Sequence, residues 1–168
     1  MESLLPLRVV SLKDTKKHYE DVVSAKICPY CSKVPELVDS ACIYHGQSYG
    51  LVYFCRDCSA WVGVHKGTQK SLGRLANSEL RKAKNKAHTY FDPITKDGLI
   101  NRLWVQYISG MSNRNKAYWW LSKKMKIKKD YCHIGMFDLE QCAKVVSVCE
   151  AAFKKLALDI NEYIKRGM

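Results

Sequence analysis

The sequence predicts an α+β fold: a small β unit followed by, and packed on, a helical body of about four helices. Three observations lead there. Four cysteines form two C-x-x-C pairs, Cys28-Pro29-Tyr30-Cys31 and Cys55-Arg56-Asp57-Cys58. Short aromatic and β-branched runs lie between and just after these pairs, as strands do. From about residue 67 onward, apolar residues recur at helical spacing instead.

The β unit is expected over residues 27–66. Val34, Leu37 and Val38 follow the first pair, Tyr49-Gly50-Leu51-Val52-Tyr53-Phe54 leads into Cys55, and Ala60-Trp61-Val62-Gly63-Val64-His65 reads as the returning strand. Each C-x-x-C places two sulfurs about one tight turn apart. The 23 residues from 32 to 54 let strands go out, return and bring the turns face to face. Four converging thiolates make the closed tetrahedral set that structural Zn²⁺ prefers, whereas a catalytic zinc keeps a position open. The alternatives, a redox C-x-x-C or a disulfide pair, suit this paired spacing less well. The expected ligands are Cys28, Cys31, Cys55 and Cys58, in a zinc ribbon whose core is too small to stand without the metal.

Residues 1–26 read as a strand or arm, with Leu4, Leu5, Leu7, Val9, Val10 and Leu12 as its apolar part. In residues 67–168, Ala76, Leu80, Ala83, Ala87 and Tyr90 share one helix face, which Asn77 or Ser78 caps and Pro93 stops. Leu99, Leu103 and Tyr107 suggest a second helix. Ser112 or Asn113 opens a third through Ala117, Trp120, Leu121 and Met125. Asp138 followed three residues later by Gln141 resembles a capping box, opening a helix with Cys142, Val146, Cys149, Phe153 and Leu156 on one stripe.

The chain has 168 residues, is 47% hydrophobic and carries a net charge of +12. It shows no apolar leader after Met1 and no run long enough to span a membrane. Eight cysteines in such a chain are expected to be reduced thiols, which places it in a cytosol with no membrane partner. Charge is concentrated in the middle. Residues 66–102 have nine basic and three acidic side chains (+6), and residues 103–129 have seven basic and none acidic (+7). One reading is a solvated lysine-rich surface that only maintains solubility. A concentrated field also attracts polyanions, with Lys82, Lys84, Lys86, Arg114, Lys116, Lys123, Lys124, Lys126, Lys128 and Lys129 as candidate contacts. Trp119 beside them is the more exposed of two adjacent tryptophans and could stack bases.

Further constellations are candidates for chemistry. His88 and Asp92, one helical turn apart, could meet His65 as a polar site, but the simpler role is a structural hydrogen bond, since no nucleophile accompanies them. Cys132, His133, Cys142 and Cys149 are candidates for a second zinc, although Cys142 and Cys149 fall on a buried stripe. Cys42 and His45 lie in the ribbon loop, where His45 is an alternative ligand. An HNH-type nuclease would add an adjacent His-His or Asp-His doublet, which the sequence lacks, so no enzymatic activity is expected.

The strings from Cys28-Pro29-Tyr30-Cys31 to Cys55-Arg56-Asp57-Cys58, with Gly63-Val64-His65, Leu72-Gly73-Arg74-Leu75-Ala76, Leu80-Arg81 and Ala87-His88-x-x-Phe91-Asp92, resemble a zinc-finger-containing family of tailed phages and prophages. Ala117-Tyr118-Trp119-Trp120-Leu121, Cys132-His133-Ile134-Gly135-Met136-Phe137 and Cys142 resemble its C-terminal half, so that the likeness covers roughly residues 27–150. The resemblance implies the same four zinc ligands. It also implies an accessory protein of the bacterial host cytosol that inhibits a host nucleic-acid machine, in its sharpest form an anti-CRISPR protein obstructing DNA loading into a Cas9-type nuclease or its nucleic-acid complex. Direct binding of DNA or RNA by a zinc-finger module is the alternative, and a zinc-containing nuclease the second.

Overall fold

A computed structural model describes residues 12–96, 98–103 and 110–166. The chain divides between Leu75 and Ala76 into two compact units, Met1–Leu75 and Ala76–Met168.

The first unit opens with a helix, α1 (Leu12–Val23), where a strand or arm was expected. Its sequence is dominated by charged and polar residues, with Lys16 and Glu20 paired at 3.8 Å. Among its described side chains, only Val22 and Val23 in the last turn are buried. The apolar signal therefore spans too few residues to show a helical period. Leu4 to Val10, on which the strand reading rested, lie outside the described residues.

Three short strands follow, β1 (Glu36–Asp39), β2 (Leu51–Cys55) and β3 (Ala60–Gly63), in an antiparallel meander of order β1-β2-β3. Tyr53 pairs with Leu37 on one side and Val62 on the other, and Cys55 pairs with Ala60. Since strand side chains alternate between faces, Tyr53, Cys55, Ala60 and Val62 share one face. That face supplies half of a small buried cluster, which Ala25, Cys28 and Leu75 complete. Cys31 and Cys58 pack against it. Beyond β3 the chain turns back, and Val64 bridges Ser71.

The second unit is helical: α2 (Ser78–Lys96), α3 (Ile100–Leu103), α4 (Asn113–Met125), α5 (Leu139–Lys155) and α6 (Ile160–Arg166). The long α2 runs against α5 and also meets α4 and α6. Leu80, Ala87, Phe91 and Ile94 of α2, Ala117 and Leu121 of α4, Ile134 and Phe137 of the following connection, and Val145, Cys149 and Phe153 of α5 form its core. Asn77 caps α2, its Oδ1 accepting from the Leu80 N–H at 2.9 Å.

Pro93 does not stop α2; it sits inside the helix, which ends at Lys96. A proline there forfeits one backbone bond near the helix end. The residues after it, Ile94 and Thr95, are buried, so core packing outweighs the local preference. The second expected helix is described only as the single turn α3, and Tyr107 lies outside the described residues. On α5 the buried stripe uses Val145 in place of Val146, while α6 had no counterpart in the sequence reading.

The capping box opening α5 is fully formed. The Gln141 N–H donates to Asp138 Oδ1 at 2.8 Å, and the Asp138 N–H donates to Gln141 Oε1 at 3.1 Å. Asp138→Ala is expected to lower the stability of the helical unit by about 1 kcal/mol. Denaturant unfolding followed by helical circular dichroism measures this, with zinc content unchanged.

Candidate metal centre and basic surface

The two cysteine turns are built alike. After Cys31 the chain enters the left-handed region at Ser32 (φ 61°), and after Cys58 it does so again at Ser59 (φ 49°). In the first turn the Ser32 N–H donates to the Cys28 carbonyl at 2.9 Å and the Cys28 N–H to the Lys33 carbonyl at 2.8 Å. In the second, the Ser59 N–H donates to the Arg56 carbonyl at 3.3 Å. Two ion pairs reach the second turn from the first half of the unit: Lys33, just after the first turn, with Asp57, and Glu36 of β1 with Arg56 Nε at 3.1 Å. Both are exposed, so they orient the turns more than they stabilise them.

These turns bring the sulfurs of Cys28, Cys31, Cys55 and Cys58 within 4.8 Å of one another. The Cys31 and Cys55 sulfurs are 3.6 Å apart. That is far beyond the about 2.05 Å of a disulfide and close to the about 3.8 Å edge of a tetrahedron with Zn–S bonds of about 2.3 Å. Cys28 and Cys55 are buried, Cys31 and Cys58 half-buried.

The thiols titrate unequally. The Lys33 N–H holds Cys31 below its ordinary value, burial raises Cys28, and Cys58 is pushed up to about 12, first by its hydrogen bond to Cys31 and then by burial. Four thiolates this close repel one another unless a cation lies among them, so metal binding must displace protons. The donor set fits Zn²⁺: four soft sulfurs in a closed arrangement. The Cys₄ cluster is thus positioned to coordinate a zinc ion, whose contribution is to fix the fold.

Among the described residues, no other group of three or more His, Cys, Asp or Glu is close enough to share an ion. Cys132, Cys142 and Cys149 are instead buried in the helical core, where burial pushes Cys132 and Cys149 up to about 12. Cys42 is exposed on a short turn and His45 sits in the next loop; neither joins the cluster. His88 Nδ1 lies 3.6 Å from Asp92 Oδ1, as their spacing implied, and Lys96 lies 3.4 Å from the same carboxylate. Burial lowers the His88 pKa, against the opposing pull of Asp92. His65 belongs to the ribbon unit, where its carbonyl accepts from the Thr68 N–H at 3.0 Å.

The basic residues fall into two groups. Lys84 Nζ donates to the Gly135 carbonyl at 2.7 Å and Lys116 Nζ to Asn101 Oδ1 at 3.2 Å, so both serve the helical unit's own structure. Lys82, Lys86, Lys123, Lys124, Lys126, Lys128 and Lys129 are exposed, and the exposed Arg114 lies 5.5 Å over the Tyr118 ring. Among the described residues none of these eight has a carboxylate within ion-pairing distance. Trp120 is buried, whereas Trp119 is half-buried, with Lys123 Nζ at 5.6 Å and Lys129 Nζ at 5.1 Å from its ring centroid. Sequence reasoning missed the stack of His133 on Tyr118 at 4.4 Å, because the two residues are brought together only by the connection between α4 and α5.

Residues 24–152 match the profile of a family described as a zinc-finger-containing domain, DUF3268. No curated protein and no solved structure matches the chain. No described helix is long and apolar enough to cross a membrane.

Proposed function

The chain belongs to this zinc-finger-containing family, and from that premise we propose that it is a non-catalytic nucleic-acid-binding module. Zinc holds the ribbon, and the basic surface of the helical unit takes phosphates. The observation that carries this reading is Trp119 flanked by the ammonium groups of Lys123 and Lys129, with no carboxylate among the described residues paired to either. An aromatic ring beside uncompensated cations can offer one face to a base and its charges to the backbone. The closed Cys₄ set supports the non-catalytic part, because it keeps no position for substrate or water.

The test is the salt dependence of binding by the zinc-loaded protein to a labelled DNA duplex. If Lys123, Lys124, Lys128 and Lys129 each neutralise a phosphate, the log–log slope is about −3.6, and affinity falls on the order of 100-fold between about 50 and 200 mM salt. The duplex should be recovered uncut in Mg²⁺ or Mn²⁺. A slope near zero, or cleavage that tracks the protein through purification, would overturn the reading.

A narrower form makes the module a phage accessory protein that uses this surface against a Cas9-type effector. It draws on the resemblance of the sequence motifs and on the charge sign: a chain of net charge +12 cannot imitate DNA, so it would meet the nucleic acid or an acidic face of the effector.

A further inference from the structure

Past β3 the ribbon unit builds a second feature, unrelated to the metal. Residues 65–70 form a tip closed by the Val64–Ser71 bridge. The His65 N–H donates to the Lys70 carbonyl at 2.8 Å, and Thr68 Oγ1 both donates to the His65 carbonyl at 2.9 Å and accepts from the Lys70 N–H at 3.1 Å. Tyr53, in the middle of β2, anchors the tip by donating its hydroxyl to the Gln69 carbonyl at 2.9 Å. The tip is therefore a fixed wall.

Between this wall and the start of β2 lies an open cavity of about 850 Å³, with Tyr49 and Leu51 on one side and His65, Lys66, Thr68 and Gln69 on the other. Leu51 and Cys55 are the two ends of β2, so the cavity lies about 13 Å along the strand from the nearest zinc ligand. Tyr49 is 73% exposed. Its ring is steadied from the side: it meets Tyr44 edge-on at 5.0 Å, and Tyr44 meets Trp61 at 5.6 Å. An aromatic ring held in place while exposed stacks a ligand at little further cost in ordering. Gly50 (φ +105°) and Gly67 (φ +74°) leave bare backbone in the lining, with no atom near where a Cβ would sit. The lining contains a cation, Lys66, and no carboxylate.

We propose that this cavity is a stacking site for single-stranded nucleic acid, with a base on the Tyr49 ring and the adjoining phosphate at Lys66. The charge of the lining selects an anionic ligand. A free base face is needed for stacking on one ring, and a paired duplex does not present it. The site lies in the ribbon unit and does not depend on the basic surface of the helical unit.

The test uses full-length, zinc-loaded protein with a labelled oligothymidylate of about 12 nucleotides, and with a duplex for comparison. Tyr49→Ala is expected to weaken oligothymidylate binding about 10-fold, and Tyr49→Phe to retain it. Zinc content and duplex affinity should stay unchanged in both variants. In a chain with Lys123, Lys124, Lys128 and Lys129 reversed to Glu, the loss caused by Tyr49→Ala should remain about 10-fold, which separates this site from the basic surface. Three results would overturn it: no oligothymidylate binding by the unmodified protein, a change within about twofold in Tyr49→Ala, or an equal loss for the duplex. A concentration-dependent dimer abolished by Tyr49→Ala, without oligonucleotide binding, would assign the face to a second copy instead.

Discussion

Cys28→Ser is expected to release zinc and unfold the ribbon unit while the helices of Ala76–Met168 persist. Two of the six residues in the ribbon's buried cluster, Cys28 and Cys55, are themselves ligands. Loss of the metal thus removes the centre of that cluster as well as its cross-link. Structural zinc contributes apparent binding free energy on the order of 10–16 kcal/mol at neutral pH, and in such sites this is folding free energy. A three-stranded sheet with so few buried residues has no comparable reserve. The helical core contains none of the four ligands. Elemental analysis should fall from one zinc per chain toward none. Hydrogen exchange should become fast over β2 and β3 and stay slow over α2 and α5. A zinc-free chain with protected ribbon amides would sink the assignment.

Reversal of Lys123, Lys124, Lys128 and Lys129 to Glu should abolish duplex binding while leaving the fold intact. The change moves the net charge from +12 to +4 and removes both ammonium groups from the Trp119 ring. If these four lysines are the phosphate contacts, affinity at about 100 mM salt should drop by well over 100-fold, leaving no salt-dependent duplex binding to measure. Exposed substitutions of this kind usually shift stability by about 0.5 kcal/mol or less each. Zinc content and melting temperature therefore serve as internal controls. Full-strength binding by the reversed chain would make these lysines a solubility device.

The Cys₄ cluster was legible because C-x-x-C is a constraint of covalent geometry: it sets two sulfurs on one tight turn, and two such turns facing each other converge on one point. The Asp138–Gln141 box was legible for a similar reason, since both partners lie within one turn of chain. What the sequence concealed depended on distant packing. Pro93 reads as a helix stop until Ile94 and Thr95 are seen buried beyond it. Val146 and Val145 are equally apolar neighbours, and only the surrounding core decides which of them is buried. The described burial of helix α1 lies in one turn, and the Tyr49 cavity joins the start of one strand run to the end of another, which only the pairing of distant residues brings together. Of the proposed basic contacts, Lys84 and Lys116 could not be told from their neighbours by composition, because their acceptors, the Gly135 carbonyl and Asn101, lie far away in sequence.

The distribution of cysteines has a practical consequence for chemical labelling. All eight are free of disulfides. Four would be held as metal thiolates, and three lie in the helical core, where Cys132 and Cys149 have thiols pushed up to about 12 and offer almost no thiolate to an electrophile. Only Cys42 is exposed. Its short turn, Ser40–Cys42, begins with the residue whose hydroxyl accepts from the Tyr49 N–H at 2.7 Å. A maleimide dye added to the native, zinc-loaded protein thus finds one address without any mutagenesis, in the loop beside the aromatic wall of the cavity.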